Sequence, residues 1–82
     1  MPEICKFYGI VIAMFFNEFE VPHFHAKYAE FTAQISISDM SIMSGELPNR
    51  AMRLIREWGA IHQAELLEMY NTKEIHKLTP LL

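Results

Sequence analysis

The segment PHFHAKY sets His23, His25 and Lys27 at alternate positions, and the later HQAE sets His62 and Glu65 three residues apart. Imidazole trades protons near neutrality and ligates zinc and other divalent ions. A carboxylate orients or completes such a ligand set, and an ammonium steadies phosphate charge. These residue types open three readings. In the first, two histidines at i and i+2 project from one side of a strand and reach one ion, with His62 and Glu65 completing a four-ligand site for a divalent metal such as zinc. In the second, His23, His25 and Lys27 form an acid/base and phosphate-binding strip of the kind a small ribonuclease uses. In the third, every group is satisfied structurally: His62 by Glu65 or a backbone carbonyl, His23 and His25 by solvent beside Lys27.

Which reading holds depends on the elements that carry these residues. FTAQISIS alternates, with Phe31, Ala33, Ile35 and Ile37 inward and Thr32, Gln34, Ser36 and Ser38 outward, as a half-buried strand does. HFHAKY alternates too, with Phe24, Ala26 and Tyr28 inward and the two histidines and Lys27 outward. Residues 7–16, FYGIVIAMFF, read as one strand that is apolar at nearly every position. Such a strand is covered on both faces, here by the helix and by either a partner subunit or a folded-over tail. NEFEVP is a turn in which Pro22 biases Val21 toward extended backbone. Ala29-Glu30 is a second turn, and Asp39 leads into MSIMSG, a short fourth strand. Gly45 ends the sheet, Pro48 opens a helix that runs to Tyr70, and Asn71 is its expected cap. The remaining TKEIHKLTPLL is expected as a short turn or an extended tail packing through Ile75 and Leu78. The predicted fold is α+β: a three- or four-stranded antiparallel sheet packed against one long C-terminal helix, in a single domain spanning 1–82.

A helical wheel drawn from Trp58 places Ala51, Leu54, Ile55, Ile61 and Met69 within about 60° of it, with Arg53, Arg56, Gln63 and Leu67 opposite. His62 falls about 40° to one side and Glu65 about 20° to the other, so both are expected to face the sheet. Burying either without a partner costs about 1–3 kcal/mol, and the i, i+3 spacing lets them meet. The strand alternation, however, sends His23 and His25 away from His62. One shared site therefore requires a bulge near Pro22, His23 placed in the preceding turn, or a second chain.

Composition narrows the classes. Ten acidic against seven basic side chains in 82 residues give a net charge of −3, which lacks the footprint of a duplex-binding domain. Any nucleic-acid role needs a local patch. Arg50, Arg53 and Arg56 form a modest helical ridge, interrupted by Glu57 and Glu68. The longest apolar run, Gly9 to Phe16, falls short of the ~20 residues that span a bilayer. The single Cys5 and the lack of a leader pattern point to the cytoplasm. Leu67 on the polar helix side, together with the apolar first strand, predicts a homodimer or a small protein partner.

The start MPEICKFYGIVIAMFF, the PHFHAKY strand, the helix entry GELPNRAMRLIREW and the HQAELL segment together resemble a bacterial family catalogued as domain of unknown function 4160. The resemblance covers nearly the whole chain. Its most specific part is PHFHA followed, one helix later, by Trp, His and Glu-Leu-Leu in that order. Members usually carry two prolines before the first histidine and often an acidic-histidine pair upstream; here those places read Val21-Pro22 and Glu18-Phe19. What the resemblance implies is a small intracellular bacterial protein, frequently encoded beside another small domain in an arrangement similar to toxin–antitoxin pairs. It also implies that His23, His25, His62 and Glu65 carry whatever site exists. The expected function is a protein-interaction component of a toxin–antitoxin-like or regulatory pair. The alternative is a metal- or histidine-dependent hydrolase acting on RNA through His23, His25, His62, Glu65 and Lys27.

Overall fold

A computed structural model describes residues 2–16 and 21–82. Five strands precede one helix: β1 (Glu3–Phe7), β2 (Ile10–Ala13), β3 (His23–Tyr28), β4 (Phe31–Ser36), β5 (Ile42–Gly45) and α1 (Asn49–Thr72). The strands pair antiparallel in chain order, β1-β2-β3-β4-β5, as a meander. The architecture is α+β as expected, but the sheet has five strands where three or four were predicted.

The additional strand is β1, which precedes the segment read as one strand and shares only Phe7 with it. At the second and third residues of that segment Tyr8 (φ 49°) and Gly9 (φ 81°) both take positive φ, the backbone of a two-residue hairpin turn whose twist matches the flanking strands. Residues 7–16 therefore straddle a hairpin. Phe7, Ile10, Ile12 and Met14 enter the core, while Val11, Ala13 and Phe15 border the opposite side. Most of the surface assigned to a partner is thus buried within the chain itself. Further on, Ala29 (φ 53°) turns β3 into β4 and Met40 (φ 57°) lies in the turn before β5. There the Asp39 carboxylate accepts from the Ser41 hydroxyl (2.7 Å) and backbone N–H (3.0 Å). The predicted turn at 17–22 falls largely on residues 17–20, outside the described residues.

Helix α1 is built of good helix formers, with Pro48 as the residue before its first turn (φ −60°, ψ 151°). It ends at Thr72, and Lys73 (φ 63°, ψ 23°), rather than Asn71, adopts the left-handed capping conformation. Its buried residues are Ala51, Met52, Ile55, Trp58, Gly59, His62, Leu66, Met69 and Tyr70. On the wheel they centre about 60° away from Trp58, which makes Trp58 one margin of the stripe rather than its middle. Ile61, expected in the core, lies beyond that margin and is 65% exposed. Trp58 packs on Phe7 (5.5 Å between centroids) and Phe24 (5.9 Å), which fixes the helix to β1 and β3.

The tail packs back on the domain, with Leu78 buried and Ile75 partly so. The Leu78 N–H donates to Ile4 O (2.8 Å), and the Trp58 indole N–H donates to Thr79 O (3.0 Å). The tail thus covers the free edge of β1, where a face had been expected to be covered. Among the described residues no helix is long and apolar enough to cross a membrane.

Candidate functional site

Strand β3 is regular on both sides: Ala13↔His25↔Gln34 and Val11↔Lys27↔Thr32 are in register across β2, β3 and β4. With no bulge to re-aim them, His25 and Lys27 stay on the face opposite Phe24, whose ring meets Trp58 of the helix. The helix covers one face of the sheet and leaves the other open. That open face is concave, enclosing a cavity of about 440 Å³ bordered by Val11, Ala13, Phe15, His25, Lys27, Thr32, Gln34 and Ser44, among others. Phe15 meets the His25 ring edge-on at 4.7 Å between centroids.

His23 departs from expectation. It begins β3 on the polar side of the alternation, yet only 2% of it is exposed. Its ring lies 5.3 Å from that of His25 and 5.7 Å from that of Tyr70, so it wedges between the open face and the last turns of α1. The Val21 carbonyl lies 2.9 Å from Nδ1. A carbonyl only accepts, so Nδ1 carries the proton and Nε2 keeps its lone pair while the imidazole is neutral. Around this wedge, Phe16 packs on Tyr70 (5.6 Å) and the Lys73 ammonium sits about 5 Å over both of their rings.

The helical pair splits. His62 is buried (8% exposed), stacked against Trp58 at 5.2 Å, and Glu65 accepts from its Nδ1–H at 2.7 Å. Glu65 itself has 51% of its side chain exposed, correcting the prediction that both face the sheet. The displaced stripe explains the split: His62 lies near its centre and Glu65 outside its margin. The carboxylate reaches back to the imidazole from solvent.

The structure therefore brings the sequence's site residues together as two pairs, His23 with His25 and His62 with Glu65. Among the described residues no three His, Cys, Asp or Glu side chains converge as metal ligands would. The four-residue zinc set does not form around one point, because His25 lies on the open face and His62 lies against Trp58 on the covered one. Cys5 is buried beneath the helix, and burial pushes its thiol above the ordinary value, which makes it a poor nucleophile.

A second concavity, of about 260 Å³, flanks the helix where Leu67 (42% exposed) and Val21 (57% exposed) stand over Ile37. Gln63 closes one side of it by donating to Ile37 O and Ser38 O (2.8 and 2.9 Å). Sequence reasoning singled out Leu67 but not Val21, because Val21 falls in the turn before a strand and shows no periodic signal.

The family model described as "Domain of unknown function (DUF4160)" matches residues 9–71. The chain belongs to that family. The matched span runs from the β1–β2 turn to the end of α1, so it contains both histidine pairs and both concavities. In this member of the family, β1 and the tail outside that span pack on each other through Ile4 and Leu78. Neither a curated protein nor a solved structure matches the chain.

Proposed function

We propose that this protein is the interaction component of a two-protein regulatory pair of toxin–antitoxin type, and that it takes its partner polypeptide in the groove formed by Leu67, Val21 and Ile37. The observation that carries this reading is the groove itself: Leu67 on an otherwise polar helix flank and Val21 just before β3 stand exposed over a concavity lined mainly by apolar groups. A small domain leaves little apolar surface exposed without use, and grooves rimmed by polar groups are where partners dock. The hairpin accounts for the apolar first strand, so Leu67 and Val21 remain as the argument for a second chain. Replacing Leu67 with Glu is expected to dissociate the assembly, whereas replacing His23 and His25 with Ala leaves it intact. An assembly indifferent to Leu67 would refute the groove.

A second reading is favoured by one specific placement: His25 and Lys27 lie two residues apart on β3, paired with Gln34 and Thr32 of β4, on the border of the 440 Å³ cavity. This is the arrangement a histidine-dependent hydrolase acting on RNA would use, with His25 moving a proton and Lys27 facing phosphate. His23, held through Nδ1, supports His25 from the side; His62 and Glu65 stand away from this face. Purified protein should then cleave single-stranded RNA and lose the activity on His25→Ala. Equal cleavage by that variant, or none by either protein, removes the reading.

A further inference from the structure

The open face of the sheet carries a charge opposite to that of the chain. Within the five strands the only acidic residue is Glu3, and its carboxylate lies 3.4 Å from the Lys77 ammonium. The other acidic groups whose placement is described lie in turns, on α1 or in the tail. Lys6 and Lys27 flank Val11 in a single register row, Lys6↔Val11↔Lys27, and so stand about 10 Å apart on one side of the sheet. Beside that row Phe15, which is partly exposed, and His25 offer two rings on the border of the cavity. A net charge of −3 demands a local patch before any polyanion can bind, and here the sheet supplies one.

We propose that this face binds single-stranded nucleic acid, with backbone phosphates on Lys6 and Lys27 and a base stacked on Phe15 beside His25. A cationic track interleaved with exposed rings on a sheet suits a strand whose bases are splayed, because every base has a face to stack. A duplex keeps its bases stacked on each other and needs a wider cationic footprint than two lysines. An acidic peptide would satisfy the lysines but leave the rings unused. The proposal shares the face with the hydrolytic reading and requires no cleavage, so binding and cutting succeed or fail separately.

The test is fluorescence anisotropy of the full chain with labelled oligouridine and oligoadenosine of about ten nucleotides, within the usual site sizes. The same samples are checked for cleavage on gels. Two phosphate contacts to a single strand give a log–log salt slope of about −1.4, so binding should weaken about sevenfold between 50 and 200 mM salt. Lys6→Gln with Lys27→Gln should abolish that slope, and Lys6→Arg with Lys27→Arg should restore it. Phe15→Ala should weaken binding at least about fivefold while leaving the slope in place. Arg50→Gln with Arg53→Gln on the helix should change nothing. Thermal melts by circular dichroism establish that each variant is folded. The proposal fails if no binding is seen at 50 mM salt, or if the sheet variants bind like the parent. It also fails if the helix variant alone loses binding, or if a glutamate-rich peptide or a duplex competes on equal terms.

Discussion

At residue scale, the His62–Glu65 pair separates two contributions that the sequence merges. The imidazole packs on Trp58 inside the core, while the carboxylate stands half in water, so their hydrogen bond lies at the boundary between the two. A hydrogen-bonded pair with one partner this exposed contributes at most about 1 kcal/mol, whereas a buried ring removed from a close-packed core costs about 2 kcal/mol or more. Urea unfolding should show Glu65→Gln within about 1 kcal/mol of the parent and His62→Ala clearly below it. Asp39 provides the pH-dependent counterpart. The Ser41 hydroxyl, then the Ser41 backbone N–H, hold its carboxyl below the usual carboxylate value. A folded value lower than the unfolded one stabilises the fold above about pH 4, and this contribution is lost as pH falls through the folded value. Stability measured from pH 5 down to pH 2 should therefore fall less steeply in Asp39→Asn than in the parent. His62 and Glu65 were legible from spacing alone. Their different burial was not, since a wheel anchored on one large residue locates the stripe only to within about 60°.

At the scale of elements, the sheet's curvature and its connections decide where the site residues go. β3 and β4 were legible because their alternation is strict, and so was the outward placement of His25 and Lys27. The β1–β2 hairpin was not legible: Tyr-Gly is a weak turn signal inside the apolar run from Phe7 to Phe16, and β1 itself, EICKF, is too short and mixed to stand out. Nor could alternation foresee the burial of His23, which comes from Tyr70, a residue near the far end of the helix. Gly45 shows how tightly the last strand is held. It takes φ +81°, and a Cβ there would stand 2.9 Å from Ala33 Cα and closer still to the Thr32 carbonyl oxygen. Backbone cannot yield as a flexible side chain does. Gly45→Ala is expected to cost at least about 2 kcal/mol in chemical denaturation and to disturb the cavity edge formed by Ser44 and Gly45.

At the scale of the whole molecule, one helix on one side of a five-stranded meander leaves two separate concave surfaces. The groove at Leu67 and Val21 is apolar, as the proposed polypeptide partner requires, and the open face carries lysines and rings, as the proposed single strand requires. The tail contributes to this division by covering the β1 edge and accepting the Trp58 indole N–H. Sequence alone drew its expected partner surface from the apolar first strand and Leu67 together; the first-strand half fails because apolar residues buried by their own hairpin look, in sequence, like residues awaiting another chain. The most direct test is multi-angle light scattering of the purified 9.6 kDa chain, alone and mixed with lysate-purified candidate partner polypeptides. The account predicts a species heavier than the monomer that reverts to 9.6 kDa on Leu67→Glu and persists when His23 and His25 are both replaced by Ala. A 9.6 kDa monomer under every condition, or an assembly unaffected by Leu67→Glu, would contradict it.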